Sequence, residues 1–80
     1  MVIIYSASWC APCRFAKQLL NEKGIKFEEI DIEKENISRQ ELLKISGGST
    51  VPQISINDNF IGGYDSLLLL DQSGKLEKLL

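Results

Sequence analysis

The sequence has no histidine and only two cysteines among its 80 residues. A structural zinc site takes four nitrogen or sulfur ligands, and Cys10 and Cys13 supply only two of them. A zinc ribbon built from one chain is therefore excluded. A disulfide between the two would also be a poor staple, because closing a loop of about four residues removes little entropy from the unfolded chain.

An excess of basic charge and long hydrophobic runs are also missing. Nine basic against eleven acidic residues give a net charge of -2, which argues against nucleic acid or an anionic membrane as the main partner. Residues 1–5 lack the basic start of a signal peptide, and the apolar run at residues 67–70 is far too short to span a bilayer. We expect a soluble, cytoplasmic protein.

The composition that remains is ordinary for a folded domain. Hydrophobic residues make up 44% and charged residues 25% of the chain, values typical of globular proteins. The length fits one small domain over residues 1–80. We therefore expect a single domain that carries the function.

The two cysteines form a Cys-x-x-Cys motif at a predicted strand-to-helix turn. In a cytosolic protein this arrangement is typical of a thiol redox site. A metal ion shared between two subunits, and a pair without function, are the alternatives that the spacing leaves open.

Hydrophobic periodicity predicts the order β-α-β-α-β-β-α with a last short helical piece. The second strand changes phase, which predicts a bulge or an early end, and the third alternates as if one side faced a core. The predicted strands are residues 2–5, 25–32, 54–56 and 60–61, and the predicted helices are residues 12–23, 37–45, 64–70 and 75–80.

Two consecutive β-α units and a hairpin predict an α/β fold. Its first strands are parallel, its edge pair is antiparallel, and helices cover both faces of the sheet. Sheets of this kind place reacting groups at the first β-α turn, which is where the cysteines fall. Asn57 and Asp58 supply hairpin turn residues that tolerate positive φ.

The position of Cys10 at the start of a helix predicts its role as nucleophile. Thiol exchange needs a thiolate, and the unpaired N–H groups of a helix N-terminus favour that anion. Cys10 is expected to face solvent, whereas Cys13, one turn inside the helix, is expected to be buried and to act as the resolving thiol. Arg14 and Lys17 add positive charge that would support the thiolate, unless they simply form the solvated face of the helix.

Two further segments predict a binding site. A cis Pro52 opposite the redox turn would leave the backbone N–H and C=O of Val51 unpaired and able to hold a substrate cysteine like an added strand. At Gly63 a strand end meets a helix N-terminus, which offers N–H groups to a carboxylate, and Asp65 could accept from an amine. This pair of groups matches an α-amino acid end, such as one half of glutathione.

The sequence resembles the glutaredoxins over nearly its whole length. The segments that carry the resemblance are spread from the first strand to the last helix. They are Tyr5, Cys10-Ala11-Pro12-Cys13, Ala16-Lys17, Leu19-Leu20, Ser46-Gly47, Thr50-Val51-Pro52-Gln53-Ile54, Ile61-Gly62-Gly63 and Asp65.

The resemblance implies the thioredoxin fold, with a four-stranded mixed sheet, and glutathione as co-substrate in the reduction of disulfides and glutathione mixed disulfides. It implies a monomer that acts on disulfide-containing or glutathionylated proteins such as ribonucleotide reductase and draws indirectly on the glutathione reductase system, with no metal expected. The implied glutathione and substrate contacts are Tyr5, Arg39 (toward the glycine carboxylate), Thr50, Val51 (through its backbone), Pro52, Gly63, Tyr64, Asp65 and Ser66 (the last three around the γ-glutamyl end).

Departures from the family pattern leave two alternatives open. Trp9 and Pro12 make the site similar to the Trp-Cys-Gly-Pro-Cys of thioredoxins, which suits an electron donor reduced by thioredoxin reductase. Ala11 is small, as in family members that carry a [2Fe–2S] cluster between two chains. Ala7 stands where a lysine is usual, so Arg39 or Lys17 would have to substitute for it.

Overall fold

The computed structural model describes residues 1–80, and four strands form one mixed sheet with helices packed against it. Seven elements follow the predicted order, and a short terminal helix completes them. The strands are β1 (Val2–Ser6), β2 (Phe27–Asp31), β3 (Gln53–Ile56) and β4 (Asn59–Gly62), and the helices are α1 (Ala11–Glu22), α2 (Arg39–Ser46), α3 (Tyr64–Gln72) and α4 (Leu76–Leu79).

The sheet has the order β2-β1-β3-β4. β1 pairs with β2 in parallel and with β3 antiparallel, and β3 pairs antiparallel with β4. The parallel start and the antiparallel edge confirm the predicted topology. Since β1 is an interior strand, the turn between β1 and α1 lies near the middle of the sheet, at the carboxyl end of β1.

Side chains on the two faces of β1 enter two different apolar clusters. Ile4 packs with Leu20 of α1 and Leu67 of α3. Tyr5 points to the opposite face, because successive side chains of a strand alternate, and it packs against the cluster that holds Leu42 of α2. Helices therefore cover both faces of the sheet, as predicted.

The strand predictions need two corrections. β2 begins at Phe27 and ends at Asp31 in continuous register with β1, so the phase change marks an early end and not a bulge. All four residues of β3 are buried. The predicted one-sided burial of this strand is wrong, because β3 lies between β1 and β4 and its second face, with Gln53 and Ser55, is buried as well.

Local sequence signals explain the remaining boundaries. α2 begins one residue after Ser38, whose hydroxyl accepts from the Glu41 backbone while the Glu41 carboxylate accepts from the Ser38 backbone, a complete capping box. It ends at Gly47 in the left-handed conformation. The hairpin turn uses Asn57 and Asp58 at positive φ, as predicted.

Candidate active site

Cys10 is the N-cap residue of α1. Its Sγ accepts a hydrogen bond from the backbone N–H of Cys13 over 3.1 Å. Pro12 lies in the first turn, where the missing N–H leaves no intrahelical bond unmade. The Cys13 N–H, one of the groups that a helix leaves unpaired at its start, is thus directed at the sulfur of Cys10, which favours a thiolate at this position once the pair is reduced.

The two cysteines are joined as a disulfide and both are buried. Cys10 is 3% exposed and Cys13 is 1% exposed. The expectation that Cys10 faces solvent is therefore wrong for the oxidised protein. Its side chain is enclosed by an apolar cluster with Ala7, Ile32 and Leu42, and it lines a surface groove.

The Val51–Pro52 peptide bond is cis, as predicted. The Val51 carbonyl oxygen lies 3.5 Å from Cys10 Sγ. No backbone–backbone hydrogen bond involves residues 48–52. The N–H and C=O of Val51 are thus left free by the sheet, directly beside the reactive sulfur.

One groove, which we call the α3 groove, has a volume of about 580 Å³. It contains every predicted glutathione contact except Tyr5 and Arg39, together with two residues of α1. Its lining consists of Pro12, Phe15, Thr50, Val51, Pro52, Gly63, Tyr64, Asp65 and Ser66.

The far wall of the α3 groove is the start of α3. Gly63 is the N-cap of this helix, and no side chain caps it, so its first N–H groups remain available. A Cβ on Gly63 would lie 3.3 Å from the Pro52 carbonyl oxygen, so the missing side chain leaves room between the start of α3 and the Pro52 backbone. Asp65 is exposed in the first helical turn.

A second groove, which we call the Trp9 groove, adjoins the first and has a volume of about 390 Å³. It is the groove that reaches the nucleophile, and it shares part of its wall with the α3 groove. Its lining is Trp9, Cys10, Ala11, Pro12, Arg39, Thr50 and Val51. Arg39, exposed at the start of α2, thus lies in the same groove as Cys10.

Trp9 is 59% exposed, yet its indole is tethered. The indole N–H donates to the Glu33 carboxylate over 3.0 Å, and the Ser8 hydroxyl donates to the same carboxylate over 3.3 Å. Asp31 orders the loop by accepting from the backbone N–H of Glu33. The carboxylate therefore fixes an apolar wall of the groove above Cys10.

Lys17 and Arg14 do not line the groove that contains Cys10. They line a separate polar groove that contains Glu29 and neither cysteine. Lys17 Nζ forms a 2.8 Å ion pair with Glu29. Hydrogen bonds from Lys17 and from the buried Ser6 hydroxyl lower the pKa of the Glu29 carboxyl below its usual value. Arg39 and Lys17 are the two cations that could substitute for the lysine usual at the position of Ala7. Of these two, Arg39 is the one that lines the groove with Cys10.

Tyr5 lines neither of the two grooves. It is half-buried against the cysteine cluster, and its ring centroid lies 5.8 Å from that of Phe60. Tyr5 therefore supports the floor below the cysteines from the sheet.

Phe15 and Glu33 belong to the site but are not among the residues predicted from the sequence. Phe15 is 49% exposed, and its ring centroid lies 5.8 Å from that of Tyr64 in the α3 groove. The adjacent Ala16 takes the core position instead, and two consecutive helical residues seldom share one face. Glu33 gave no local signal, because its partner lies 24 positions away.

The glutaredoxin family model matches residues 2–61. The chain belongs to the glutaredoxin family. It is 46% identical over 79 residues to the glutaredoxin of Pseudomonas aeruginosa, which covers 99% of this chain and 94% of that protein. It is equally similar to glutaredoxin 3 of Escherichia coli, over 99% of this chain and 95% of that protein.

Solved glutaredoxins share the fold. The buckwheat glutaredoxin–glutathione complex superposes with a TM-score of 0.89 at 29% identity, over 99% of this chain and 74% of that one. The glutaredoxin of Brucella melitensis superposes with a TM-score of 0.84 at 44% identity, over 99% of this chain and 86% of that one. The chain therefore has the thioredoxin fold, as expected, and is a thiol–disulfide oxidoreductase with Cys10 and Cys13 as its redox-capable pair.

No cluster of three or more cysteine, aspartate or glutamate side chains comes together in a way that could hold a metal ion. None of the helices combines the length and the apolar character that crossing a bilayer requires.

Proposed function

We propose that this glutaredoxin catalyses glutathione-dependent reduction of protein disulfides and glutathione mixed disulfides. One observation carries the proposal: the α3 groove joins the free backbone of Val51, beside Cys10, to the uncapped start of α3. A peptide bound along it would have its cysteine at Val51 and its amino-acid end at α3. Glutathione is a peptide of this kind.

The charges along the two grooves fit the ends of glutathione. The γ-glutamyl end carries a carboxylate, which the N–H groups at the start of α3 would bind. It also carries an ammonium group, from which the Asp65 carboxylate would accept hydrogen bonds. The glycine end carries a second carboxylate, for which Arg39 is the cation in the Trp9 groove. Binding of glutathione in the buckwheat complex supports the same use of this fold.

The reaction on a mixed disulfide needs only Cys10. Its thiolate attacks the glutathione sulfur, the protein thiolate leaves and takes up a proton, and Cys10 carries the glutathionyl group. A second glutathione thiolate attacks that group, so that oxidised glutathione leaves and the Cys10 thiolate is restored. In total, one free glutathione is consumed, and the mixed disulfide is converted into a protein thiol and oxidised glutathione.

On a protein disulfide, Cys13 resolves the intermediate. Cys10 first attacks one sulfur of the protein disulfide and displaces the other as a thiolate. Cys13 then attacks Cys10 Sγ and releases the protein sulfur that Cys10 held as the second thiol. The product is the Cys10–Cys13 disulfide, the state that the structure contains. Two glutathione molecules then return the pair to its reduced form.

A coupled assay tests the proposal. Purified protein is given a glutathionylated peptide, glutathione, glutathione reductase and NADPH, and oxidation of NADPH is followed. The proposal predicts turnover that saturates with the peptide and requires Cys10. Absence of turnover above the uncatalysed exchange would contradict it.

A second candidate is an electron donor reduced by thioredoxin reductase, and the Trp9 groove favours it. Trp9 and Pro12 flank the cysteines with an apolar surface suited to a protein partner. Replacing glutathione and glutathione reductase by thioredoxin reductase in the same assay separates the two. The proposed function predicts that glutathione supports the faster turnover.

A further inference from the structure

We infer that Gln53 is a positioning residue for glutathione exchange, and the inference rests on the proposed function. Its side-chain amide fixes the Thr50–Val51 backbone beside Cys10. Gln53 is the first residue of β3 and is 6% exposed. Its Nε2 donates to the Thr50 carbonyl over 2.8 Å.

The segment that Gln53 contacts has no other regular support. Residues 48–52 connect α2 to β3, and none of them takes part in a backbone–backbone hydrogen bond. Ser49 and Thr50 are exposed. The position of Val51 is therefore set by the few side chains that hold this connection at its two ends.

Ser46 holds the end that follows α2. Its Oγ lies within hydrogen-bonding distance of the carbonyls of Leu42, at 2.8 Å, and Gly48, at 2.9 Å, and accepts from the Gly48 N–H over 3.2 Å. Gln53 holds the other end through Thr50. We call the side chains of Ser46 and Gln53, with Gly48 between them, the brace.

Gly48 shows how closely the brace is packed. A Cβ on this residue would lie 2.5 Å from Gln53 Nε2 and 3.0 Å from its amide carbon, which is closer than real atoms approach. The amide thus occupies the space that any other residue at position 48 would need. Glycine at this position lets Gln53 reach the Thr50 carbonyl.

The brace bears on catalysis through Val51. Its carbonyl lies 3.5 Å from Cys10 Sγ, and its free backbone is the proposed binding edge for the cysteine of glutathione. Displacing a binding edge by about 1 Å is enough to cost a large factor in rate. Loss of the Gln53 amide should therefore weaken binding of glutathionylated substrate, while the nucleophilicity of Cys10, which depends on the start of α1, stays the same.

The first test is Gln53→Met, which keeps the length of the side chain and removes its donor. We expect the KM for a glutathionylated peptide to rise about tenfold with a smaller change in kcat. The rate at which reduced Cys10 reacts with iodoacetamide, a reagent that does not need Val51, should be unchanged. Gln72→Met, at an exposed site at the end of α3, is the matched control and should behave like wild type.

A second test uses Gly48→Ala, which displaces the amide from the opposite side and remains available if Gln53→Met fails to fold. Gly48→Ala should lower kcat/KM in the wild-type background and have no further effect in Gln53→Ala, where the methyl group has room. Three results would each overturn the inference. They are an equal effect of Gly48→Ala on kcat/KM in both backgrounds, a KM of Gln53→Met within about twofold of that of wild type, and a loss of iodoacetamide reactivity in Gln53→Met as large as its loss of kcat/KM.

The outcomes separate this inference from the proposed function. If wild type and Gln72→Met turn over with glutathione and Gln53→Met does so equally well, the function stands and the role of Gln53 is wrong. If wild type itself shows no glutathione-dependent turnover, the proposed function is wrong and the role of Gln53 falls with it.

Discussion

The backbone N–H of Cys13 donates to Cys10 Sγ, and the reverse contact does not exist. This makes the two cysteines unequal. Cys10 caps α1 and lines the Trp9 groove. Cys13 lies one turn inside the helix and is the more buried of the two. A nucleophile and a resolving thiol are thus distinguished by geometry.

Substitution of each cysteine by serine tests this distinction. Cys10→Ser should abolish turnover of a glutathionylated peptide, because no other thiolate lines the groove. Cys13→Ser should keep much of that activity, because a second glutathione can resolve the intermediate. Initial rates in the coupled assay measure both. Full activity of Cys10→Ser would refute the assignment.

Arg39→Met tests the proposed contact with the glycine carboxylate. We expect the KM for glutathionylated peptide to rise about two- to fivefold, which corresponds to about 0.4–1 kcal/mol for an exposed charge pair. The effect should shrink as salt is added. Arg14→Met is the matched control, since Arg14 lines a different groove. An equal rise in both variants would argue against a specific role of Arg39.

Glu33→Ala tests the tether of Trp9, the only tryptophan in the chain. Without the carboxylate the indole should gain local rotational freedom, which time-resolved fluorescence anisotropy measures directly. Glu33→Gln keeps an acceptor oxygen and should preserve the restricted motion. Glu35→Ala, at an exposed site in the same loop, should leave the anisotropy unchanged. Identical decays in all three variants would show that Glu33 does not hold Trp9.

Glu29→Gln tests the ion pair with Lys17 through its pH dependence. The contacts with Lys17 and Ser6 lower the pKa of Glu29 in the folded state, so their stabilisation is present above the unfolded-state pKa and disappears as the pH falls through the folded-state pKa. The pair is partly exposed, so the loss at about pH 7 should stay below about 1 kcal/mol.

Urea unfolding of wild type and Glu29→Gln at about pH 7 and about pH 2 measures this difference. It should be present at neutral pH and absent in acid. Glu28→Gln, at the exposed neighbouring position, should match wild type at both values. A difference that persisted in acid would mean that the Glu29 charge is not its source.

Local signals in the sequence predicted most of the fold, and the resemblance to the glutaredoxins predicted most of the α3 groove. The apolar run at β1, the capping residues of α2 and the hairpin turn at Asn57 and Asp58 each act within a few positions of the chain. The position of Cys10 as the N-cap of α1 also depends only on residues close to it in the chain. Such features can be identified from neighbouring residues alone.

What the sequence did not predict depends on contacts between distant segments. The burial of Cys10 depends on Val51, 41 positions away. The fixed orientation of Trp9 depends on its hydrogen bond to Glu33. The ion pair of Lys17 depends on Glu29, which lies 12 positions away on another element. Periodicity gives the face of a helix, but it does not give the partner that this face meets.

The coupled assay with two reducing systems tests the central claim most directly. Wild-type protein and Cys10→Ser are compared on one glutathionylated peptide, first with glutathione and glutathione reductase, and then with thioredoxin reductase. The account predicts that glutathione supports the faster turnover, that the rate saturates with the peptide, and that it disappears in Cys10→Ser. Turnover supported by thioredoxin reductase alone would contradict it.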